Sequence, residues 1–378
     1  MIVKPRAVFL VVSLVVVVGL AGFASGAASL AGKGGFRLVG LFGQALALIR
    51  ANYVEEVSVD KLELGAMTGL VEAADPGGMW VPKEATAAWN AARTRTSPAF
   101  GLVLGKRSSY PFVLQVLPGS AAEKAGILPG ELIERIGDEP VRARPLWRSQ
   151  VLLDEGERQR GEVTVDVIDR QLDGERRLTL RALPPSAIEV AVNDHAGIPV
   201  LRVPVLDELA VSRVEAALAS LTADNLVVDV RGLAIGDAKS AVRIAAMIAG
   251  GAVEVKRERR EDAGDVLKAG GPARAWRVLV CVDAATAGPG EVLALGLKSR
   301  GATLVGGESF GDTGERKVIH ASGGDLWLAD RWCVRPDGKP LLGNGLRPDE
   351  PVRYRKDADA VLDRALELAR GSAAKQAA

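Results

Sequence analysis

Histidine and cysteine are scarce in this chain of 378 residues, which contains two of each. Cys281 and Cys333 both lie in apolar, strand-like runs, which favours buried thiols and leaves a disulfide between them open. No Cys/His cluster has the spacing of metal ligands, so we expect neither a metal site nor a cofactor. His195 and His320 are the only imidazoles available as a general base. Neither stands in a recognisable catalytic context, which argues against a Ser-His-Asp triad.

An excess of charge of one sign is also absent. Forty-eight Lys and Arg residues face 47 Asp and Glu residues, which leaves a formal net charge of +1 at pH 7. Without a long-range positive field, nucleic acid is not an expected partner. The fractions of hydrophobic residues, 48%, and charged residues, 25%, are typical of a globular chain, and the length suggests two or three domains.

A long apolar stretch without charge stands at the N-terminus. Two cations in the first six residues precede residues 7–31, which contain no charged side chain. Residues 1–31 therefore predict an export signal, either cleaved near the small residues 24–27 or kept as a membrane anchor, and we favour the anchor. The basic flank predicts that the following domains lie in the cell envelope, on the outer face of the cytoplasmic membrane or in the periplasm.

A helical region is predicted after the short glycine linker, over residues 36–95. Apolar residues recur every three or four positions between Phe36 and Tyr53, as on one face of an amphipathic helix. A second helical pattern follows and stops at residues 75–78, Asp-Pro-Gly-Gly. No chemistry is visible in this region, which we interpret as a packing or dimerisation element.

Short strands and glycine turns alternate in the next region, residues 98–183. A helix is expected from Ser120 to Gly126, and strands are expected at Leu102–Leu104, Phe112–Leu117 and Leu132–Ile136. The motifs PGSAA, AGI and PGELI, in this order between residues 118 and 133, resemble the middle of a PDZ domain.

The PDZ resemblance implies a peptide-binding groove. In such domains a peptide C-terminus adds as a strand to the sheet edge, and backbone N–H groups of an apolar-glycine loop hold its carboxylate. The resemblance places this loop at Phe100, Gly101, Leu102 and Val103. The alternative is a structural β-domain whose groove is closed.

Strand and helix patterns alternate from Val190 onward, with near-continuous Val and Leu runs in the strands, which predicts an α/β layer with buried strands. Three late segments resemble motifs of the carboxyl-terminal processing peptidases, also called tail-specific proteases: LVVDVRG at 226–232, TLVGGESFGDTGERKVIH at 303–320 and GNGLRPDEPV at 343–352. The predicted fold class is therefore α/β and α+β multidomain, with an N-terminal helical region, a PDZ β-domain and a tail-specific-protease-like α/β core over residues 187–370.

The resemblance implies a serine endopeptidase with a Ser/Lys dyad, but the dyad residues do not carry over. Aligned through Val282 and Glu291, the position of the nucleophilic serine falls on Gly288 in VDAATAGPGEVLALGL. The lysine that acts as general base corresponds to Asp312, and the glutamine that supports it corresponds to Arg316. Glycine has no attacking oxygen, and a carboxylate cannot replace a neutral amine as the partner of a missing hydroxyl.

The oxyanion hole is altered as well. The residue after the nucleophile usually donates its N–H to the developing negative charge, but Pro289 has none. The second donor is expected from a glycine pair after the LVVDVRG strand, of which only Gly236 is kept. The turn instead suits the start of a structural helix. Gly288 fits the N-cap position, Pro289 the first helical position and Glu291 the third.

Thr286 and Lys317 could form a shifted dyad in place of the missing one. The other interpretation is that Thr286 is a turn hydroxyl and Lys317 is a solvated strand residue. The resemblance, with the losses above, predicts a catalytically degenerate envelope protein that binds C-termini of envelope or precursor proteins through its PDZ domain. It would act as a regulator, scaffold or adaptor, with an active protease relative as a candidate partner. The alternative is an active PDZ-containing serine- or threonine-type endopeptidase that cleaves envelope proteins near their C-termini.

Overall fold

The computed structural model describes residues 35–376 except 173, 185–187, 260–263, 273, 275 and 336. The predicted export segment, residues 1–31, lies outside this range. Among the described helices, none combines the length and the apolar character that a membrane crossing needs. The chain divides into two compact units, residues 1–66 and residues 67–378.

The described residues form nine α-helices. They are α1 (Gly35–Asn52), α2 (Val59–Ala74), α3 (Thr86–Arg93), α4 (Ala121–Lys124), α5 (Leu146–Glu155), α6 (Glu208–Ala219), α7 (Ala238–Ala249), α8 (Pro289–Ser299) and α9 (Ala360–Gln376). The strands are β1 (Met79–Pro82), β2 (Leu102–Arg107), β3 (Tyr110–Val116), β4 (Leu132–Ile136), β5 (Glu139–Pro140), β6 (Glu162–Ile168), β7 (Glu175–Arg181), β8 (Ala191–Asp194), β9 (Pro199–Arg202), β10 (Asn225–Asp229), β11 (Gly251–Arg259), β12 (Asp265–Gly271), β13 (Arg277–Val282), β14 (Thr303–Gly306), β15 (Glu315–Ala321), β16 (Gly324–Cys333) and β17 (Glu350–Pro351).

A six-stranded sheet with the order β17-β14-β13-β10-β9-β8 forms the α/β core. Its pairs are parallel apart from β8 and β9. Successive side chains of a strand face opposite sides of the sheet, so Val278, Val280 and Val282 join the core under α6, α7 and α8. Leu279 and Cys281 instead pack against α9 on the other face. Covered faces explain the near-continuous apolar runs, and the predicted α/β architecture is confirmed.

A second sheet has the order β2-β3-β4-β6-β7, with β5 beside β4. The three strands expected in this region lie within β2, β3 and β4, or within one residue of them. The Ser120 hydroxyl accepts the Glu123 N–H at 3.2 Å and so caps the short helix α4. The assignment of residues 98–183 as a PDZ domain stays a prediction.

A third sheet contains β1, β16, β11 and β12 in this order, with β15 also paired to β16. Strand β1 lies inside residues 36–95, which the sequence predicts to be helical, so that prediction is wrong at Met79–Pro82. The cause is tertiary, since β1 pairs antiparallel with β16, where Met79 is opposite Trp327, and no local pattern reveals so distant a partner.

Both cysteines are free and buried, so the disulfide that the sequence left open does not form. Burial raises the pKa of the Cys281 thiol well above its usual range and that of the Cys333 thiol to about 12. Because the thiolate is the reactive form, these side chains are packing residues rather than nucleophiles.

Candidate active site

The turn between β13 and α8, residues 283–288, is held against the loop that follows β10. The Asp283 carboxylate accepts the N–H groups of Gly232 at 3.1 Å and Ala285 at 3.0 Å. The Thr286 hydroxyl donates to the Val230 carbonyl at 3.0 Å. Ala287 donates its N–H to the Leu233 carbonyl at 3.0 Å. The turn therefore has a fixed direction, set by contacts to a neighbouring strand end.

Gly288 occupies a strained backbone conformation at the start of α8, with φ 51° and ψ −118°. A strained strand-to-helix turn is also how hydrolases expose a nucleophile. A Cβ at this residue would lie 3.6 Å from the Asp312 carbonyl oxygen and 3.8 Å from that of Ala234, which are ordinary contacts. Conformation rather than space therefore favours glycine, and the predicted helix start at Pro289 is confirmed.

The Gly288 N–H is shared between two acceptors. It lies 3.0 Å from the Asp312 carbonyl oxygen and 3.2 Å from a carboxylate oxygen of Glu291. Position 288 thus has neither a hydroxyl nor a free amide, and the following residue, Pro289, has no N–H at all. The hydroxyl and the free N–H groups that the resemblance expects at this turn are therefore not found at residues 288 and 289.

Glu291 is a fully buried carboxylate that ties the helix start to the loop 309–312. It accepts the Ser309 hydroxyl, the Gly311 N–H at 2.7 Å and the Asp312 N–H at 2.8 Å, besides that of Gly288. Burial raises the pKa of the Glu291 carboxyl to about 7, while the donated hydrogen bonds favour the anion. The Glu291 side chain therefore links the start of α8 to the loop 309–312.

Asp312 and Arg316, at the positions expected for the lysine and the glutamine, form an ion-pair network with Asp75. Arg316 donates to Asp312 at 2.8 Å and to both carboxylate oxygens of Asp75 at 2.7 and 2.9 Å. Burial alone would lower the pKa of the Arg316 guanidinium, but the two carboxylates outweigh it and raise that pKa above its usual range. A permanently charged guanidinium fixed by two carboxylates is unsuited to accept a proton.

A side chain from the second sheet forms hydrogen bonds with the backbone of the loop after β10. The buried Gln115 of β3 accepts the N–H groups of Ala234 at 2.8 Å and Ile235 at 3.0 Å through its amide oxygen, and its amide nitrogen donates to the Pro204 carbonyl. A Cβ on Gly236 would lie 2.2 Å from the Leu206 carbonyl oxygen, so close packing requires glycine there. The N–H groups of Ala234 and Ile235, which precede Gly236, are therefore engaged inside the protein.

Thr286 and Lys317 have separate partners. The Thr286 side chain is fully buried and bonded to Val230, as above. Lys317 lies on β15, with a half-exposed side chain whose amine is 3.4 Å from an Asp330 carboxylate oxygen. No hydrogen bond joins the two side chains among the described residues.

The loop at residues 99–101 lies beside a cavity of about 460 Å³. Phe100 donates its N–H to the Glu157 carboxylate at 2.6 Å, and Gly101 donates to the Pro98 carbonyl at 2.9 Å. The Leu102 N–H donates to Ala99, and Val103 pairs within the sheet with Gln115. Three of the four amides that the sequence predicts to bind a peptide carboxylate, those of Phe100, Gly101 and Leu102, therefore have internal acceptors in this structure.

Asp75, Gln115 and Glu157 are the site residues that the sequence analysis missed. Each reaches its partner over a long sequence separation, 241, 119 and 57 residues respectively. The one sequence signal near any of them is the acidic-proline turn at residues 75–78, which by itself predicts only a helix end.

Known proteins are similar to this chain over most of its length. Residues 197–352 match the model of peptidase family S41. A probable CtpA-like serine protease of Staphylococcus aureus (strain bovine RF122 / ET3-1) is 24% identical over 319 residues, which is 81% of this chain and 63% of that protein. Its counterpart in Staphylococcus haemolyticus (strain JCSC1435) is 22% identical and covers 82% of this chain. The chain spans about 63% of the length of these relatives.

A solved structure, the photosystem II D1 C-terminal processing protease, superposes with a TM-score of 0.64 at 21% identity. The match covers 85% of this chain and 96% of that one, so the two share a fold. Together with the family match over the α/β core, this similarity confirms the predicted resemblance. Residues 197–352 thus carry a peptidase family S41 domain, and the chain is similar to the carboxyl-terminal processing peptidases.

Proposed function

We propose that this chain is a catalytically degenerate member of its family, which binds polypeptide and does not cut it. The observation that carries the proposal is Gly288, whose N–H is shared between Asp312 and Glu291 and which is followed by Pro289. The Asp312–Arg316–Asp75 network supports it, because it leaves no free base beside this turn. Loss of one oxyanion donor alone costs about 10²–10³ in rate.

Binding is assigned to residues 98–183 as a PDZ domain that captures protein C-termini at Phe100–Val103. Support comes from the cavity beside this loop and from the edge position of β2 in its sheet. In the cell envelope, held by residues 1–31, such a protein acts as a regulator, scaffold or adaptor. Envelope or precursor proteins, or an active protease relative, are the partners we propose.

Glu157 controls access to this loop in our proposal. Its carboxylate accepts the Phe100 N–H and is paired with Arg95, so it takes the place of a peptide's terminal carboxylate. A bound C-terminus has to displace it, and apparent affinity falls with the fraction of molecules in which the loop is open.

The Glu157→Ala variant is therefore expected to bind a peptide with a free C-terminus about five- to tenfold more tightly than the natural chain. The measurement is fluorescence anisotropy on the full chain in detergent micelles, with the peptide recovered intact afterwards. Glu155→Ala is the matched control, since Glu155 ends α5 two residues before Glu157 and has no hydrogen bond to the loop, and it should leave affinity unchanged. Equal affinity for free and amidated C-termini would contradict the proposed binding site.

A further inference from the structure

A second cavity, of about 1050 Å³, opens beside the turn 283–288 and shares no lining residue with the cavity next to Phe100. Part of its wall comes from Asp283–Ala285 and Gly307, which directly follow the parallel strands β13 and β14. The carboxyl ends of parallel strands are where open α/β sheets bind ligands. The cavity therefore lies where a ligand site is expected in such a sheet.

Positive charge dominates the lining. Seven cationic side chains and three carboxylates face the cavity, whereas the whole chain is almost neutral. Some of the cations are neutralised: Arg231, for example, is paired with Asp229 and Asp359. Among the described residues Arg107, Arg353 and Arg355 have no salt bridge with a carboxylate. The cavity consequently keeps unneutralised cations from two parts of the chain, one on β2 and two after β17.

Two arginines of this cavity lie against aromatic rings. The Arg107 guanidinium lies 4.9 Å from the centre of the Phe112 ring, and that of Arg170 lies 4.7 Å from the Tyr354 ring. Tyr354 and Tyr110 line the cavity, and they are two of the three tyrosines in the chain. Side chains that are already ordered lose less conformational entropy when a ligand binds.

We propose that this cavity binds an acidic segment of a polypeptide, in an extended form, through Arg107, Arg353 and Arg355. Guanidinium groups bind carboxylates in bidentate geometry, and the tyrosine and phenylalanine rings take up the aliphatic parts of the segment. The volume is at the upper end of ligand sites and exceeds what a single small anion fills. Nucleic acid is disfavoured, because its binding needs a continuous basic stripe and a strongly basic domain.

In this proposal the acidic segment lies beside Asp283–Ala285, at the start of the turn that ends at Gly288. The inference goes beyond capture of a C-terminus, because it needs no free carboxyl end. An amidated peptide therefore tests this site without engaging the loop at Phe100.

The test uses the full chain in detergent micelles and a labelled, glutamate-rich peptide with an amidated C-terminus. We expect the Arg353→Glu/Arg355→Glu variant to weaken binding by about tenfold or more, and binding to the natural chain to weaken as salt rises. Arg347→Glu is the matched control: this arginine is 82% exposed, lies outside the cavity and should change affinity by less than about twofold.

Two further measurements decide the outcome. Arg107→Gln, on β2, provides an independent variant, which carries the test if circular dichroism shows that the double variant does not fold. Equal binding of a peptide with glutamine in place of glutamate would overturn the proposal, as would unchanged binding by the cavity variants. Displacement of the labelled peptide by oligothymidylate at lower concentrations than by the unlabelled peptide would assign the cavity to nucleic acid and also overturn it.

Discussion

Replacing Arg316 by methionine is expected to lower the free energy of unfolding by about 3–5 kcal/mol, because it strands a buried carboxylate. Asp75 is 5% exposed and receives two hydrogen bonds from Arg316, besides the N–H groups of Ala329 and Gly77. Removal of the guanidinium leaves that charge without its counter-ion. Urea unfolding of the natural chain and of Arg316→Met at pH 7 measures the difference.

The pH dependence of this difference is a second, sharper measurement. Burial alone would raise the pKa of the Asp75 carboxyl, but Arg316 and the two N–H groups lower it below its usual value of 3.8. A carboxyl with a lowered pKa contributes stability that is present above its unfolded-state pKa and lost as the pH falls through its folded-state pKa. The gap between the two proteins should therefore be full at pH 7 and narrow below about pH 4.

Arg181→Met is the matched control for this substitution. The Arg181 side chain is 79% exposed and its partner Glu162 is 56% exposed, at 3.3 Å. Exposed pairs of this kind contribute about 0–1 kcal/mol. A loss for Arg316→Met no larger than that for Arg181→Met would mean that the network does not stabilise the fold.

Replacing Glu291 by alanine is expected to lower the free energy of unfolding by about 3 kcal/mol or more, since it leaves three donors buried without an acceptor. These donors are the Ser309 hydroxyl and the N–H groups of Gly311 and Asp312, whereas the Gly288 N–H keeps the Asp312 carbonyl. We also expect faster amide exchange in the loop 309–312, which Glu291 holds against the helix start. Hydrogen exchange measured by mass spectrometry reports both the global and the local effect.

The sign of the Glu291 pH dependence is opposite to that of Asp75. The pKa of this carboxyl is raised from 4.5 to about 7, chiefly by burial, so the folded protein binds the proton more tightly than the unfolded chain does. Its contribution is fully present below pH 4.5 and is lost as the pH rises to about 7. Glu291→Gln, which cannot ionise, should flatten the stability profile over this window. An unchanged slope would contradict the assignment.

The α/β core was predictable because its signals are local. Strands such as β10 and β13, covered on both faces, consist of continuous apolar runs, and each helix follows at a regular distance. The start of α8 was predictable for the same reason: Gly288, Pro289 and Glu291 are neighbours in the sequence and satisfy one another's backbone requirements. Hydrogen bonds between residues that are close in sequence produce sequence patterns that can be recognised locally.

The contacts that decide the chemistry of the site could not be read in this way. Gln115 is a polar residue near the end of β3. No neighbouring residue predicts that its side-chain amide accepts the N–H groups of Ala234 and Ile235. Asp75 ends a helix in sequence terms, yet in the fold its carboxylate faces Arg316. The orientation of one sheet against another determines these contacts, and it depends on the packing of the whole unit.

The most direct measurement of the central claim is a search for new peptide termini. The full chain in detergent micelles is incubated with unfolded polypeptides, and the products are analysed by mass spectrometry. We predict no termini that depend on the natural chain, and weak or no cleavage by Gly288→Ser/Asp312→Lys, because Pro289 still lacks the N–H that an oxyanion needs. Cleavage by the natural chain that Thr286→Ala abolishes would contradict the account, since it would mean that this turn remains catalytic without its serine.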